Sequence, residues 1–302
     1  MKVNWKEGQS EHTVTSPMTL NISSFSNVND LNKSVTPELS DSDTTLLHLW
    51  AHSDKYRLGG SALYQSFKLY GGATPDIDDA NQFKVLFEAT QELLDKDFIE
   101  ALHDISDGGL ITSLIEMALC SNQGLDINLD YSDKEQLVPK LFSEEIGLVI
   151  EVKNEKLESV RNYLNEKELF FENIAKKNDK KKININCFKE EVFSEDLITL
   201  FNQWSKVSHE IQKIRDSEDA ALAEKEAYEN FDKFLTPEIN FVVPKPDKNL
   251  FRKRPKIALI REQGINGQYD MAAALMEAGF EVKDVHMSEF GSSIKDLDSY
   301  RG

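Results

Sequence analysis

Four prolines, Pro237, Pro244, Pro246 and Pro255, punctuate one stretch that also carries Lys248, Arg252, Lys253 and Arg254. Proline removes a backbone donor and fixes φ, so neither a long helix nor a central strand can run through such a stretch. The chain is therefore expected to divide there, and its 302 residues have room for about two domains. Before the linker, strand-like and helix-like patterns alternate, which predicts an α+β or α/β domain. A short apolar run reaches from Leu46 to Trp50, and a strand is expected at Gly147–Val152, preceded by the acidic pair Glu144 and Glu145. A hairpin with a lysine-rich tip is expected over Ile174–Cys187. Helices are expected after Gly59 and Gly60, with Leu63, Phe67 and Tyr70 inward, and over Ala80–Asp95, with Ala80, Phe83, Phe87, Thr90 and Leu94 on the inner face. Two more are expected, one from Leu110 towards Gly124 and a long one from Ser194 through Ile214. The first forty residues read as extended, with alternation at Met18, Leu20 and Ile22. After Pro255 the pattern is strand, polar loop Arg261–Gln268, helix and strand, which is the opening βαβ unit of a doubly wound domain. Gly264 and Gly267 do not form a dinucleotide fingerprint, and that stretch is too short to bury a core alone.

The chemistry concentrates in His103-Asp104-Ile105-Ser106-Asp107-Gly108-Gly109-Leu110. Two carboxylates and a hydroxyl precede two glycines, and an apolar helical pattern begins immediately after them. Glycine exposes backbone N–H groups, and a helix start adds unsatisfied donors and the positive end of its dipole, so the segment suits a metal-bound phosphate. Asp104 would be a hard oxygen ligand for Mg²⁺. The same residues also suit a plain strand-to-helix turn capped by Asp107. Gly59-Gly60-Ser61 is a second glycine-led helix start, and the two could face one cleft. His103 suits a hydrogen-bonded structural role better than that of a base. His48 and His52 lack the third ligand that zinc requires. Neither Cys120 nor Cys187 lies in a pairing framework, so both are expected as buried thiols in a reducing compartment. A net charge of −18 disfavours nonspecific nucleic-acid or anionic-membrane binding. No apolar run follows Met1 and none approaches a membrane span, which leads to the expectation of a cytoplasmic protein.

The residues also carry a resemblance. Ser-Pro-Met-Thr-Leu from Ser16, Val-Thr-Pro-Glu-Leu from Val35, Leu-Gly-Gly-Ser-Ala-Leu from Leu58, the His103–Leu110 stretch and Phe-Ser-Glu-Glu-Ile-Gly from Phe142 occur in order. Arg254–Asn266, Met271–Ala274 and Asp284–Ser288 follow them. In these stretches the chain resembles an internal-to-late segment of the large single-chain phosphoribosylformylglycinamidine synthases of purine biosynthesis. The resemblance implies an α+β fold in which residues 1-35 are the tail of a preceding synthetase-like domain. Residues 36-193 would be the carboxyl-terminal domain of an aminoimidazole-ribonucleotide-synthetase-like unit. Residues 194-255 would be a long helix and linker, and 256-302 the start of a truncated, doubly wound α/β class I glutaminase domain.

In that family ATP activates the formyl amide oxygen of formylglycinamide ribonucleotide, and ammonia released from glutamine displaces phosphate to give the amidine. By motif position, Asp104 would be a Mg²⁺ ligand, and Ser106, Asp107, Gly108 and Gly109 would line a nucleotide site for ATP or ADP, catalytic or auxiliary. The expected partners are ATP, glutamine, the formylglycinamide substrate and the neighbouring domains of the same chain. The glutaminase cysteine, histidine and glutamate are expected beyond Gly302 and the first synthetase-like unit before Met1, so the segment alone is expected to be inactive. Two other readings stay open, a noncatalytic module that shapes assembly or an ammonia path, and another ATP-using synthetase relative.

Overall fold

Thr44–Trp50 forms strand β3, in which every residue is buried. It lies at the centre of a sheet, antiparallel to β6 (Gly147–Lys153) on one side and to β7 (Phe170–Asn178) on the other. Successive side chains of a strand leave opposite faces, so a strand apolar on both must be covered twice. Leu46 joins the cluster that contains Leu110, Leu114 and Met117 of helix α3 (Gly109–Ser121). Leu47 and Leu49 join the other, with Leu86, Ala89 and Leu93 of α2 (Ala80–Asp95) and Val160 and Leu164 of α5 (Leu157–Glu166). The computed structural model describes residues 2–16, 22–28, 30–51, 55–129, 134–188, 190–229, 238, 240–242, 253–290 and 297–302. Met18, Leu20, His52 and the prolines at 237, 244 and 246 lie outside these residues.

The full sheet runs β4-β6-β3-β7-β5-β8-β9, with β4 at Ala101–Asp104, β5 at Gly124–Leu129, β8 at Lys182–Cys187 and β9 at Glu190–Asp196. β5 and β8 pair in parallel, whereas the other pairs of this sheet are antiparallel. This corrects the expected hairpin, because β5 lies between β7 and β8. Gly124 makes the insertion possible: a Cβ there would stand 2.6 Å from the carbonyl oxygen of Lys182. At the far end of β6, Glu151 is fully buried and accepts from the Ser40 amide at 2.9 Å, the Thr44 hydroxyl at 2.6 Å and Lys177 Nζ at 2.9 Å. Lys177 also donates to the carbonyls of Ser40 and Ser42, so one ion pair fastens the segment before β3 to the sheet.

Three helix expectations need correction. Helix α1 covers only Ala62–Ser66, Lys68 turns at φ 56°, and Phe67 and Tyr70 stand exposed. Helix α2 has the expected bounds and is capped by Asp79, but it buries Leu86, Ala89, Thr90 and Leu93 while Phe83 and Phe87 stay exposed. That is a rotation of about one residue, or roughly 100° of helix. The long helix is broken at Ser205 into α6 (Leu197–Trp204) and α7 (Lys206–Arg215), followed by α8 (Glu218–Glu229). Leu197 and Leu200 enter the core, whereas Val207, Ile211 and Ile214 do not. Cys187 is buried as expected, but Cys120 is exposed.

The chain divides into two units, Met1–Asn230 and Phe231–Gly302. The first also holds an antiparallel hairpin of β1 (Lys2–Glu7) and β2 (Ser10–Thr15). In the second, β10 (Lys256–Arg261) and β11 (Glu281–His286) pair in parallel around α9 (Gln268–Glu277), the expected strand-helix-strand order. Among the described residues no helix is long and apolar enough to cross a membrane.

Candidate functional site

The His103–Leu110 stretch spans the end of β4 and the first turn of α3. Gly108 caps the helix at φ 89°, Gly109 follows at φ 72°, and Asp107 makes no cap bond. Both torsions lie where L side chains are strained, which is the physical reason for two glycines here. Gly109 is needed for space as well, since a Cβ would stand 2.7 Å from the carbonyl oxygen of Ser143. The turn is pinned at several points. Ile105 N donates to the carbonyl of Gly147 at 2.9 Å, Gly109 N to that of Ser106 at 2.9 Å, and the Ser113 hydroxyl to that of Asp104 at 2.8 Å.

On this fixed backbone the side chains of Asp104, Ser106 and Asp107 are exposed, Asp104 to 70%. Among the described residues the Ser106 hydroxyl and the Asp107 carboxylate take no partner. His103 is placed differently. Its Nε2 meets Glu116 at 2.9 Å and its Nδ1 meets the carbonyl oxygen of Asp104 at 2.7 Å, while Trp204 Nε1 donates to the other Glu116 oxygen at 2.9 Å. His103 is thus a tie between β4, α3 and α6.

The two glycine-led turns meet, and the group between them belongs to the chain itself. Glu144 Oε1 accepts from Ala62 N, at the start of α1, and from Gly108 N, each at 2.8 Å. Glu145 is 3% exposed and binds Arg57 three times, from its backbone N at 3.1 Å, its Nε at 2.6 Å and its Nη2 at 2.7 Å. Arg57 extends to Asp78 at 2.9 Å. The Glu145 hydrogen bond pushes the guanidinium further up, so it stays charged at any accessible pH. Bonds from Lys55 first and Arg57 second hold the Asp78 carboxyl below its usual range. Sequence reasoning registered the acidic pair but missed its task. The available signal was position, because carboxylates entering a buried strand must find donors.

A second polar cluster lies on β3. His48 and Lys140 of α4 (Leu137–Phe142) are buried, and both bind Glu172, His48 Nδ1 at 3.3 Å, with Lys140 Nζ also 5.5 Å from the Trp50 ring centre. Burial pushes the His48 imidazole down and outweighs its bond to Glu172. Burial pushes Glu172 up, but the bonds from His48 and Lys140 together hold it below the ordinary glutamate range. The cluster reads as neutral imidazole, carboxylate and ammonium, with the Glu172 charge paired to that of Lys140. Among the described residues no group of three or more His, Cys, Asp or Glu side chains is placed to hold a metal ion.

Residues 51–187 match the family described as AIR synthase related protein, C-terminal domain, and residues 254–302 match the CobB/CobQ-like glutamine amidotransferase domain. The chain therefore has the class of architecture in which a synthetase-related α+β domain leads into a glutamine amidotransferase domain. Among solved structures, the chain is similar to Thermotoga maritima PurL complexed with FGAR, at 18% identity and a TM-score of 0.48, covering 56% of this chain and 30% of that one. It is similar to the same protein complexed with ATP at 16% and 0.45, covering 55% and 27%. It is also similar to E. coli HypE, a hydrogenase maturation protein, at 19% and 0.39, covering 54% and 52%. The chain spans less than a third of the length of those PurL chains.

Proposed function

We propose that the chain is part of an ATP-dependent amidoligase that converts formylglycinamide ribonucleotide and glutamine to the amidine, and that the β4–α3 turn is its magnesium-nucleotide subsite. The observation that carries this reading is the contrast within eight residues, exposed Asp104, Ser106 and Asp107 on a backbone fixed by hydrogen bonds. Exposed polar groups on an immobile turn are pre-organised for a ligand, although the Asp104 carboxylate also lies 3.3 Å from His103 Nδ1. Asp104 offers one hard oxygen donor, and magnesium takes one or two protein carboxylates together with water and phosphate oxygens, so the donor fits a phosphate-bridged ion rather than a caged one. When bound, the ion supplies charge neutralisation between the carboxylate and the phosphates. Ser106 would donate to a phosphate oxygen, and Asp104 would orient the ion.

On this reading the domain boundaries fall near residues 35, 193 and 255, glutamine hydrolysis belongs to residues outside this chain, and the segment alone does not turn over. A cytoplasmic location belongs to the same reading. The test is calorimetry of Mg·ADP with the full chain. Replacing Asp104 with Ala should weaken binding by about tenfold, the worth of one charged interaction. Unchanged affinity would remove the metal role. One observation favours the competing assembly-module reading: Gly108 N and Gly109 N are already given to acceptors within the chain. That reading expects the Asp104 change to leave Mg·ADP affinity intact.

A further inference from the structure

Asp104, Ser106 and Asp107 point where the backbone of residues 105–108 sends them, since the latter two side chains are anchored by nothing else among the described residues. That backbone is tied at Ile105 to Gly147 and at Gly108 to Glu144. Glu144 is also the link to the second turn, through Ala62 N. Both bonds are 2.8 Å and run from N–H to carboxylate, the charge-assisted kind that is shorter and stronger than a neutral pair. Its neighbour Glu145 fixes the base of the lever, because its three bonds to Arg57 hold the segment before β6 against the segment before α1. Gly109, seated against the carbonyl of Ser143, leaves no slack between that segment and α3. Consecutive glutamates thus divide the work, one anchoring the loop and the other setting the turn.

We infer that Glu144 is a positioning residue for the nucleotide subsite, holding the Asp104–Gly108 turn in register with the Gly59–Ala62 turn so that Asp104 and Ser106 meet the same ligand; this rests on the function proposed above. A small displacement of a ligand-bearing group is enough to lose binding.

The experiment titrates Mg·ADP into the full chain and four variants, with amide hydrogen exchange read at Ala62 and Gly108. Glu144→Ala should lose about tenfold in affinity and the protection at both amides. Glu144→Gln keeps an oxygen that accepts both bonds, so it should return to within about threefold of wild type. Ala62→Pro removes one donor at the first helical position, where proline is tolerated, and should cost about threefold with Glu144 untouched. If Glu144→Ala does not fold, Ala62→Pro decides, and wild-type affinity there overturns the inference. Wild-type or tighter affinity in Glu144→Ala, while Asp104→Ala loses binding, overturns it and leaves the subsite reading standing. Failure of Glu144→Gln to rescue also overturns it. Unchanged affinity in Asp104→Ala removes the subsite reading itself.

Discussion

The two ends of β6 handle carboxylates in opposite ways. At one end Glu151 is wholly buried and gathers Ser40, Thr44 and Lys177, so every lone pair that matters is used inside the fold. At the other end Glu144 and Glu145 hold the neighbouring turns rigid, while Asp104, Ser106 and Asp107 are left facing outwards. A polar group satisfied within the chain contributes to the fold. One left exposed on a rigid turn contributes little to it and is available to something else. The difference separates a lock from a socket in residues of the same chemistry, and exposure together with hydrogen-bond partners is what distinguishes them.

That contrast can be broken most forcefully at Glu151. Replacing it with Ala leaves Lys177, only 14% exposed, beside two carbonyls with no counter-charge, and should lower stability in urea by about 3 kcal/mol. A loss near zero would mean that the closed end is not a lock. Gly109→Ala comes next, at on the order of 3 kcal/mol, from its positive φ and from the clash with residue 143; a melt shifted by less than a degree would refute the close approach. The His48 cluster gives a smaller, pH-dependent effect. Its imidazole titrates lower in the fold than in the unfolded chain, so the unfolded chain binds more protons as pH falls below about 6.5. Stability should therefore decline from neutral pH down through the folded value, and His48→Gln should flatten that limb of the profile. The smallest effect belongs to the open end. Asp104→Ala and Ser106→Ala should change stability by less than about 0.5 kcal/mol. A larger loss in thermal melts would make these residues part of the fold and erase the contrast.

The elements with a strong period were legible in the sequence. β6, α3 and the strand-helix-strand of the second unit fall where apolar runs, stripes and glycine punctuation place them, and β3 covers the short apolar run at Leu46–Trp50. What a local pattern does not encode is the identity of a partner. Nothing near Ile174–Cys187 says that β5, some fifty residues earlier, will slide between its two strands, and only the bare backbone of Gly124 hints at it. Helix faces failed for a related reason. Phe83 and Phe87 are larger than Leu86 and Ala89, yet α2 meets the sheet through its smaller side chains. At the candidate site the residues were legible and their roles only partly so. The meeting of the two glycine turns could be imagined from spacing, but the carboxylate that joins them is about 36 residues from one turn and more than twice as far from the other.

The placement of β3 has a consequence for synthesis. Its two hydrogen-bonding partners, β6 and β7, begin about a hundred residues later in the chain. While the ribosome is making those residues, a seven-residue strand with apolar side chains on both faces has neither edge occupied, which is a hazard for association with other chains. We expect this strand to be the step at which a nascent chain needs shelter. Chains halted with Phe170–Asn178 still inside the ribosomal tunnel should leave Trp50 open to an aqueous fluorescence quencher, and chains in which that strand has emerged should shield it. Equal quenching in both would show that β3 is sheltered before its partners exist.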